Sequence, residues 1–390
     1  MQIHTVKRGE TVFHIARQYK TSPVKIIENN ALERADMLSV GEELLILEPT
    51  RSYTVRGGET LAQIVERFSV KKSELLRLNP ALAEDERLRA GMNLSLRIAP
   101  PKYGTAANLG YVRKNTTQSQ IRQTLPFLSY FVFDAAVSDG EQIRFVWDAR
   151  PLLREVSEAK KIALLRVKAL DVKEEFYQSN VFRGAFMNSL VNAAKQNGYC
   201  GIVLESDIMG IETRGARDAF LVELRKRMIG SDLILFCECL GRDEFGDLTD
   251  ANILLPSYFM EENGFSREHR IHHASALYES QKTFVGLPSH ALDNGEMISW
   301  QRMREILYRT KNELLREDGM LGFSFCKFRA GAREEHKVRA LSLHAIDEVL
   351  ALISEYGFMG TAVEVSFFHT AARLLLGCAF SGIEYSFTLV

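Results

Sequence analysis

The chain has 390 residues, 46% of them hydrophobic and 25% charged, with a formal net charge of −1. These proportions suit a globular protein, and scattered Lys and Arg at near-zero net charge leave no electrostatic footprint for nucleic acid or an anionic membrane surface. No stretch approaches the ~20 apolar residues of a membrane span, and Met1–Lys7 lacks the basic start and apolar run of a signal peptide.

The first hundred residues repeat internally. His4-Thr5-Val6-Lys7-Arg8-Gly9-Glu10-Thr11 aligns with Tyr53-Thr54-Val55-Arg56-Gly57-Gly58-Glu59-Thr60. Ile15 aligns with Ile64, Tyr19 with Phe68 and Asn30 with Asn79; Leu38 and Gly41 follow as Leu88 and Gly91 after a one-residue shift. In each repeat a short strand (Ile3–Val6, Tyr53–Val55) enters a glycine turn. Thr11 or Thr60 then caps a helix whose apolar residues fall at helical spacing: Val12, Ile15, Ala16 and Tyr19, then Leu61, Ile64, Val65 and Phe68. A second helix (Pro23–Asn30, Lys72–Asn79) and a closing strand (Glu43–Leu47, Asn93–Ile98) complete a β-α-α-β unit. Glu10 and Glu59 are expected in the first helical turn, where the helix dipole favours them.

Two copies of this T-V-x-x-G-E-T start, with the helical Ile, the Asn ending the second helix and the late Gly, resemble the LysM module. The expected modules span residues 1–48 and 51–99. The resemblance implies binding of N-acetylglucosamine-containing glycans, peptidoglycan or chitin-like, in a shallow groove between two loops. In the first repeat those loops carry Gly9, Glu10, Thr11 and Val12 on one side and Asn30, Ala31 and Leu32 on the other. In the second they carry Gly58, Glu59, Thr60 and Leu61, then Asn79, Pro80, Ala81 and Leu82. Asn30 and Asn79 also read simply as helix-end caps.

Pro100-Pro101 ends the second repeat. Eight strand candidates follow: Asn108–Val112, Phe127–Val132, Ile162–Lys168, Gly201–Glu205, Leu233–Glu238, Asn252–Leu255, Thr283–Leu287 and Thr361–Val365. Helices are expected over Asn180–Gln196, Arg214–Met228, Ser299–Arg316 and Ala345–Tyr356. Alternation of this kind across 103–390 predicts an α/β fold, a (β/α)8 TIM barrel, a class whose usual size is about 250 residues. A doubly wound sheet is the competitor; no Gly-rich phosphate loop follows the first strand, and no cofactor is expected. Five cysteines are widely spaced, and Cys200, Cys237 and Cys378 lie in apolar contexts that predict buried reduced thiols. Cys237-Glu238-Cys239 is too tightly spaced for the usual zinc pair, and His269, His272 and His273 read as a solvated loop, so no metal site is expected.

The stretch from Gly198 to Asp207 reads as a buried strand ending in two acids. Glu205 and Asp207 are two apart and point to one face. Together with Tyr130–Phe133 followed by Val137-Ser138-Asp139-Gly140, and Gly357-Phe358-Met359-Gly360 before the last strand, it resembles glycoside hydrolase family 18, especially its LysM-bearing branch from bacterial spores. That family carries D-x-x-D-x-D-x-E on the fourth strand; the Glu donates a proton, and the preceding Asp orients the substrate acetamide, which acts as nucleophile. Here Cys200 and Val203 fill the first two acid slots, Glu205 the third and Asp207 the last. Asp207 reaches about 1.5 Å less far than Glu, and a misplacement near 1 Å costs on the order of 100-fold in rate. Pro256-Ser257-Tyr258-Phe259 keeps the family's acetamide-supporting Tyr but puts Phe in the acidic slot. Thr361–Val365 lacks the Trp that floors the sugar subsite, and neither Trp147 nor Trp300 aligns with it.

The resemblance implies a glycan-binding protein of the spore or cell envelope with an inactive or impaired barrel, made without a signal peptide in the mother-cell cytoplasm. A second reading is an active N-acetylglucosaminidase of cortex peptidoglycan, with Asp207 as proton donor, Glu205 orienting the acetamide and Tyr258 assisting. A third is a structural coat protein that contacts other coat proteins. In any of these Glu205 and Asp207 could instead cap a helix or pair with Arg166 or Lys168, and Glu238 and Glu364, at the ends of the fifth and eighth strands, are candidates to face the same barrel mouth.

Overall fold

The computed structural model describes residues 1–169, 179–205, 214–240, 245–257, 266–310, 314–316, 323–330 and 334–382. In the first repeat, strands Gln2–Thr5 and Glu43–Ile46 pair antiparallel, and helices Val12–Gln18 and Pro23–Asn30 cover one face. The second repeats this with strands Arg51–Thr54 and Asn93–Arg97 and helices Leu61–Phe68 and Lys72–Leu78, and adds one short turn of helix, Leu82–Asp85. Each module buries its own apolar set around Ile15 or Ile64.

Both threonine caps form. Thr11 accepts from the His14 N–H, and Thr60 makes a reciprocal capping box with Gln63. The placement of Glu10 and Glu59 is corrected. Both precede the extended cap residue, so they lie ahead of the helix and not in its first turn. Their carboxylates close the preceding turn instead, accepting from the backbone N–H groups of Lys7 and Arg56 at 2.7 Å each.

From Leu109 the chain forms eight parallel strands: Leu109–Val112, Tyr130–Ser138, Ile162–Ala169, Gly201–Leu204, Ile234–Cys239, Ala251–Leu254, Thr283–Gly286 and Gly360–Glu364. The first pairs with both the second and the eighth, Leu109 opposite Tyr130 and Ala362, so the sheet closes and the doubly wound alternative falls. Alternate residues point inward and fill the barrel, among them Leu109, Tyr111, Val132, Leu164, Val203, Phe236, Ile253, Phe284 and Ala362. The other faces pack under the surrounding helices.

The second strand starts later and runs longer than expected. Phe127 and Leu128 close the turn after helix Gln118–Thr124, and the strand continues past Asp134 into a hairpin with Ile143–Phe145. The Asp139-Gly140 turn is the tip of that hairpin. Gly140 takes a left-handed φ of 90°, and the Asp139 carboxylate accepts from the Glu141 and Gln142 N–H groups.

Between the seventh and eighth barrel strands lies an antiparallel five-stranded sheet, with its longest strands at Phe323–Ala330 and Glu334–Leu341 and with the helix Trp300–Thr310 packed on it; the helix Leu343–Glu355 then leads into the eighth strand. The helix Trp300–Thr310 replaces the expected Ser299–Arg316. It packs Met303 and Leu307 against Ala291, Val338 and Ala340 of the inserted sheet. The histidine loop is also corrected: Arg267–Leu277 is a helix capped by Ser266. Ile271 and Ala274, three apart, are buried, so helical period outweighs the charge of the stretch. Cys237 and Cys378 are buried as expected, but Cys200 is exposed: it precedes the strand, which begins at Gly201.

Candidate functional site

At the mouth of the barrel, a charged residue stands directly above the inward apolar one on six of the eight strands; the sixth and seventh carry Leu255 and Gly286 there. Arg113 follows Tyr111, Asp134 follows Val132, Arg166 follows Leu164, Glu205 follows Val203, Glu238 follows Phe236 and Glu364 follows Ala362. The period of two thus carries six charged groups from six strands to one ring at the strands' C-terminal ends, the face where barrels of this class place their chemistry.

Arg166 is the hub. Its Nε and Nη2 donate to the two oxygens of Glu238 at 2.7 and 2.9 Å, Nη1 donates to Asp134 at 3.0 Å, and Nη2 also donates to Glu205 at 2.9 Å. Arg113 bridges the remaining acids, donating to Asp134 at 2.7 Å and to Glu364 from Nε at 2.8 Å and Nη2 at 2.5 Å. The Tyr111 hydroxyl donates to Glu238 at 2.9 Å, and Glu238 is only 2% exposed. Burial opposes the charge on Arg166, but Glu238 and Asp134 outweigh it and hold the guanidinium above the usual arginine range. Burial and then Glu238 push the Tyr111 phenol well above its ordinary value. His290, just beyond the seventh strand, is pushed down by burial and by Arg113.

Glu205 therefore has both oxygens engaged: one accepts from Arg166, the other from the Ala169 N–H at 3.1 Å. Of the two cations proposed as its partners, Arg166 makes the bond and Lys168 is exposed. Val203, below it, is an inward core residue with no polar group. Asp207, Tyr258 and Phe259 lie outside the described residues. Glu238 and Glu364 share the mouth. Neither tryptophan does: Trp147 Nε1 donates to the Asp134 carbonyl oxygen at 2.7 Å, and Trp300 packs on His369 with ring centroids 4.3 Å apart. Sequence reasoning passed over Arg113 and Asp134, although each is two residues beyond a buried inward side chain, which was the available signal.

In the LysM-like modules, the loop residues divide by exposure. Gly9, Thr11 and Ala31, and Gly58, Thr60 and Ala81, are exposed; Glu10, Glu59 and Pro80 are half-buried; Val12, Leu32, Leu61 and Leu82 belong to the cores. Asn30 and Asn79 are buried and do more than end a helix. Asn30 donates to the carbonyls of Ile26 and Leu45 and accepts from the Leu45 N–H. Asn79 does the same with Leu75 and Ser95. Each amide staples the helix end to the closing strand, which sets the height of the loop that follows. What these loops present to a ligand is backbone and small side chains.

The LysM domain family matches residues 4–47 and 53–97. Over 250 residues the chain is 24% identical to YdhD of Bacillus subtilis, which bears the name of a sporulation-specific glycosylase; the match covers 60% of this chain and 57% of that protein. The chain spans between 38% and 57% of the length of the curated relatives it matches. Among solved structures, the spore cortex-lytic enzyme SleL of Bacillus megaterium superposes with a TM-score of 0.75 at 19% identity, covering 98% of this chain and 99% of that one. A chitinase of Chromobacterium violaceum superposes with a TM-score of 0.60 at 14% identity, covering 70% and 99%. Residues 4–47 and 53–97 are LysM domains, and the chain that follows folds as the (β/α)8 barrel also seen in that cortex-lytic enzyme and that chitinase.

Proposed function

We propose that this protein binds N-acetylglucosamine-containing glycans, peptidoglycan or chitin-like, through its LysM domains, and that its barrel does not hydrolyse them efficiently. The observation that carries the second half is the bonding of Glu205. General acid catalysis needs a carboxyl group that can hand a proton to the glycosidic oxygen, and an acetamide-orienting acid needs an oxygen facing the sugar. Glu205 spends one oxygen on Arg166 and one on the Ala169 N–H. Among the described residues, Asp134, Glu238 and Glu364 at the mouth are likewise bonded to Arg166 or Arg113. The names of the relatives, a cortex-lytic enzyme and a sporulation-specific glycosylase, support a setting in the spore or cell envelope.

The full chain should co-sediment with insoluble spore-cortex peptidoglycan, and neither that polymer nor chitin oligosaccharides should yield new reducing ends by mass spectrometry after incubation with it. Asp207→Asn should leave that product profile unchanged. Reducing-end N-acetylglucosamine that disappears in Asp207→Asn would overturn this reading and establish the hydrolase, with Asp207 donating the proton and Glu205 and Tyr258 holding the acetamide.

A further inference from the structure

The two LysM domains finish their second loop differently. In the second domain the loop carbonyls are satisfied from within. The Asn79 carbonyl accepts from the Leu82 N–H at 2.9 Å, and the Pro80 carbonyl accepts from the Ala83 N–H at 3.1 Å, through the short helix Leu82–Asp85. The first domain has no helix at the corresponding place. There the Asn30 and Ala31 carbonyls accept from Arg304, at 2.7 and 3.3 Å.

Arg304 belongs to the helix Trp300–Thr310 of the barrel's inserted sheet, more than 270 residues along the chain. Its Nε donates to Glu42 at 2.6 Å, and that carboxylate, 1% exposed, also accepts from the Ser39 N–H at 3.2 Å. The second domain has Met92 in place of Glu42 and so has no acid to hold such a cation. The contact continues around the arginine: Gln301 bonds to Glu33, and the Leu314 N–H donates to the Val40 carbonyl at 2.8 Å. Ala31, Leu32 and Glu33 thus face Gln301, Arg304 and Glu305 across a narrow cleft.

We propose that Arg304 is a positioning residue for the first LysM groove, so that this glycan site is complete only when the barrel's insertion is docked on it. The argument is physical. A shallow groove that reads its sugar through backbone groups and small side chains depends on the loop's conformation. Two adjacent carbonyls left without donors would turn toward water and carry the loop with them. A guanidinium anchored on a buried carboxylate fixes both at once. The second domain also touches the barrel, through Arg77 and the carbonyls of Pro126 and Phe380, but its loop carbonyls take their donors from its own backbone and need no side chain from the insertion.

The inference rests on the glycan-binding reading above, and the second domain separates failure of one from failure of the other. The full chain is titrated with N-acetylglucosamine pentamer, following backbone amide shifts of Gly9–Val12 and Gly58–Leu61 by NMR. Arg304→Ala should weaken binding at the first set about tenfold, the order expected for losing one charge-assisted hydrogen bond, and leave the second set unchanged. Glu42→Gln should weaken the first set by a smaller factor, and Arg304→Lys should restore part of the loss. Equal affinities at the first set in wild type and Arg304→Ala, with both folded by thermal melt, would overturn the inference. Absence of shifts at both sets in the wild type would overturn the glycan-binding reading instead.

Discussion

Arg166 shows how much one side chain can settle at the mouth of this barrel. It is 14% exposed and donates to three carboxylates. A buried ion network of this kind contributes little net stability over a well-packed apolar one, but removing one partner strands the others. Arg166→Met should therefore cost about 3–5 kcal/mol in denaturant unfolding, because Glu238 would be left buried with Tyr111 as its one donor among the described residues. Arg166→Met combined with Glu238→Leu should recover much of that loss, and Lys168→Met, an exposed change, should stay within about 0.5 kcal/mol. A single-site cost at Arg166 no larger than that at Lys168 would refute the network. The inward position of each of these residues was legible from alternation. The charge partner of each was not: Arg166 and Glu238 stand 72 residues apart, and nothing local couples them.

Among elements, the helix Thr370–Ala379 after the last barrel strand carries the clearest pH-dependent group. Its cap, His369, is pushed well below the ordinary histidine value by burial, then by Arg304 and Arg373. Above pH 6.5 the ring is neutral in both folded and unfolded chains, so its full contribution is present. As pH falls below 6.5 the unfolded chain takes up the proton first, and stability is lost. The melting temperature should drop between pH 7 and pH 5, and His369→Asn, which keeps a cap without a titratable ring, should show a smaller drop. Identical pH slopes would refute it. The helix Arg267–Leu277 makes the complementary point at this scale. Ile271 and Ala274 carried the helical period in the sequence, but three histidines and neighbouring charges masked it; packing of that apolar stripe against the barrel decides the element.

At the scale of the whole molecule, the first LysM domain meets the barrel's insertion at the turn before its closing strand, and the second domain shows the same turn without such a neighbour. Gly41 and Gly91 occupy the same turn with the same φ of 84°. A Cβ on Gly41 would stand 2.1 Å from the Leu314 carbonyl oxygen, whereas one on Gly91 meets nothing within 4 Å. Gly91→Ala should cost about 1–2 kcal/mol, the strain of a left-handed residue alone. Gly41→Ala should cost more and should loosen the contact, read as faster amide exchange at Leu314 with no change at Val55. Equal costs and unchanged exchange would refute the docked arrangement. The tandem repeat and the alternation of eight strands with helices were determined by the sequence alone, because period and capping depend on backbone geometry within a few residues. Tertiary structure alone decided that Glu205 is held by Arg166, that an inserted sheet interrupts the barrel, and that Arg304 completes a loop near the start of the chain. Those outcomes depend on which distant side chains closure of the barrel brings within hydrogen-bond reach.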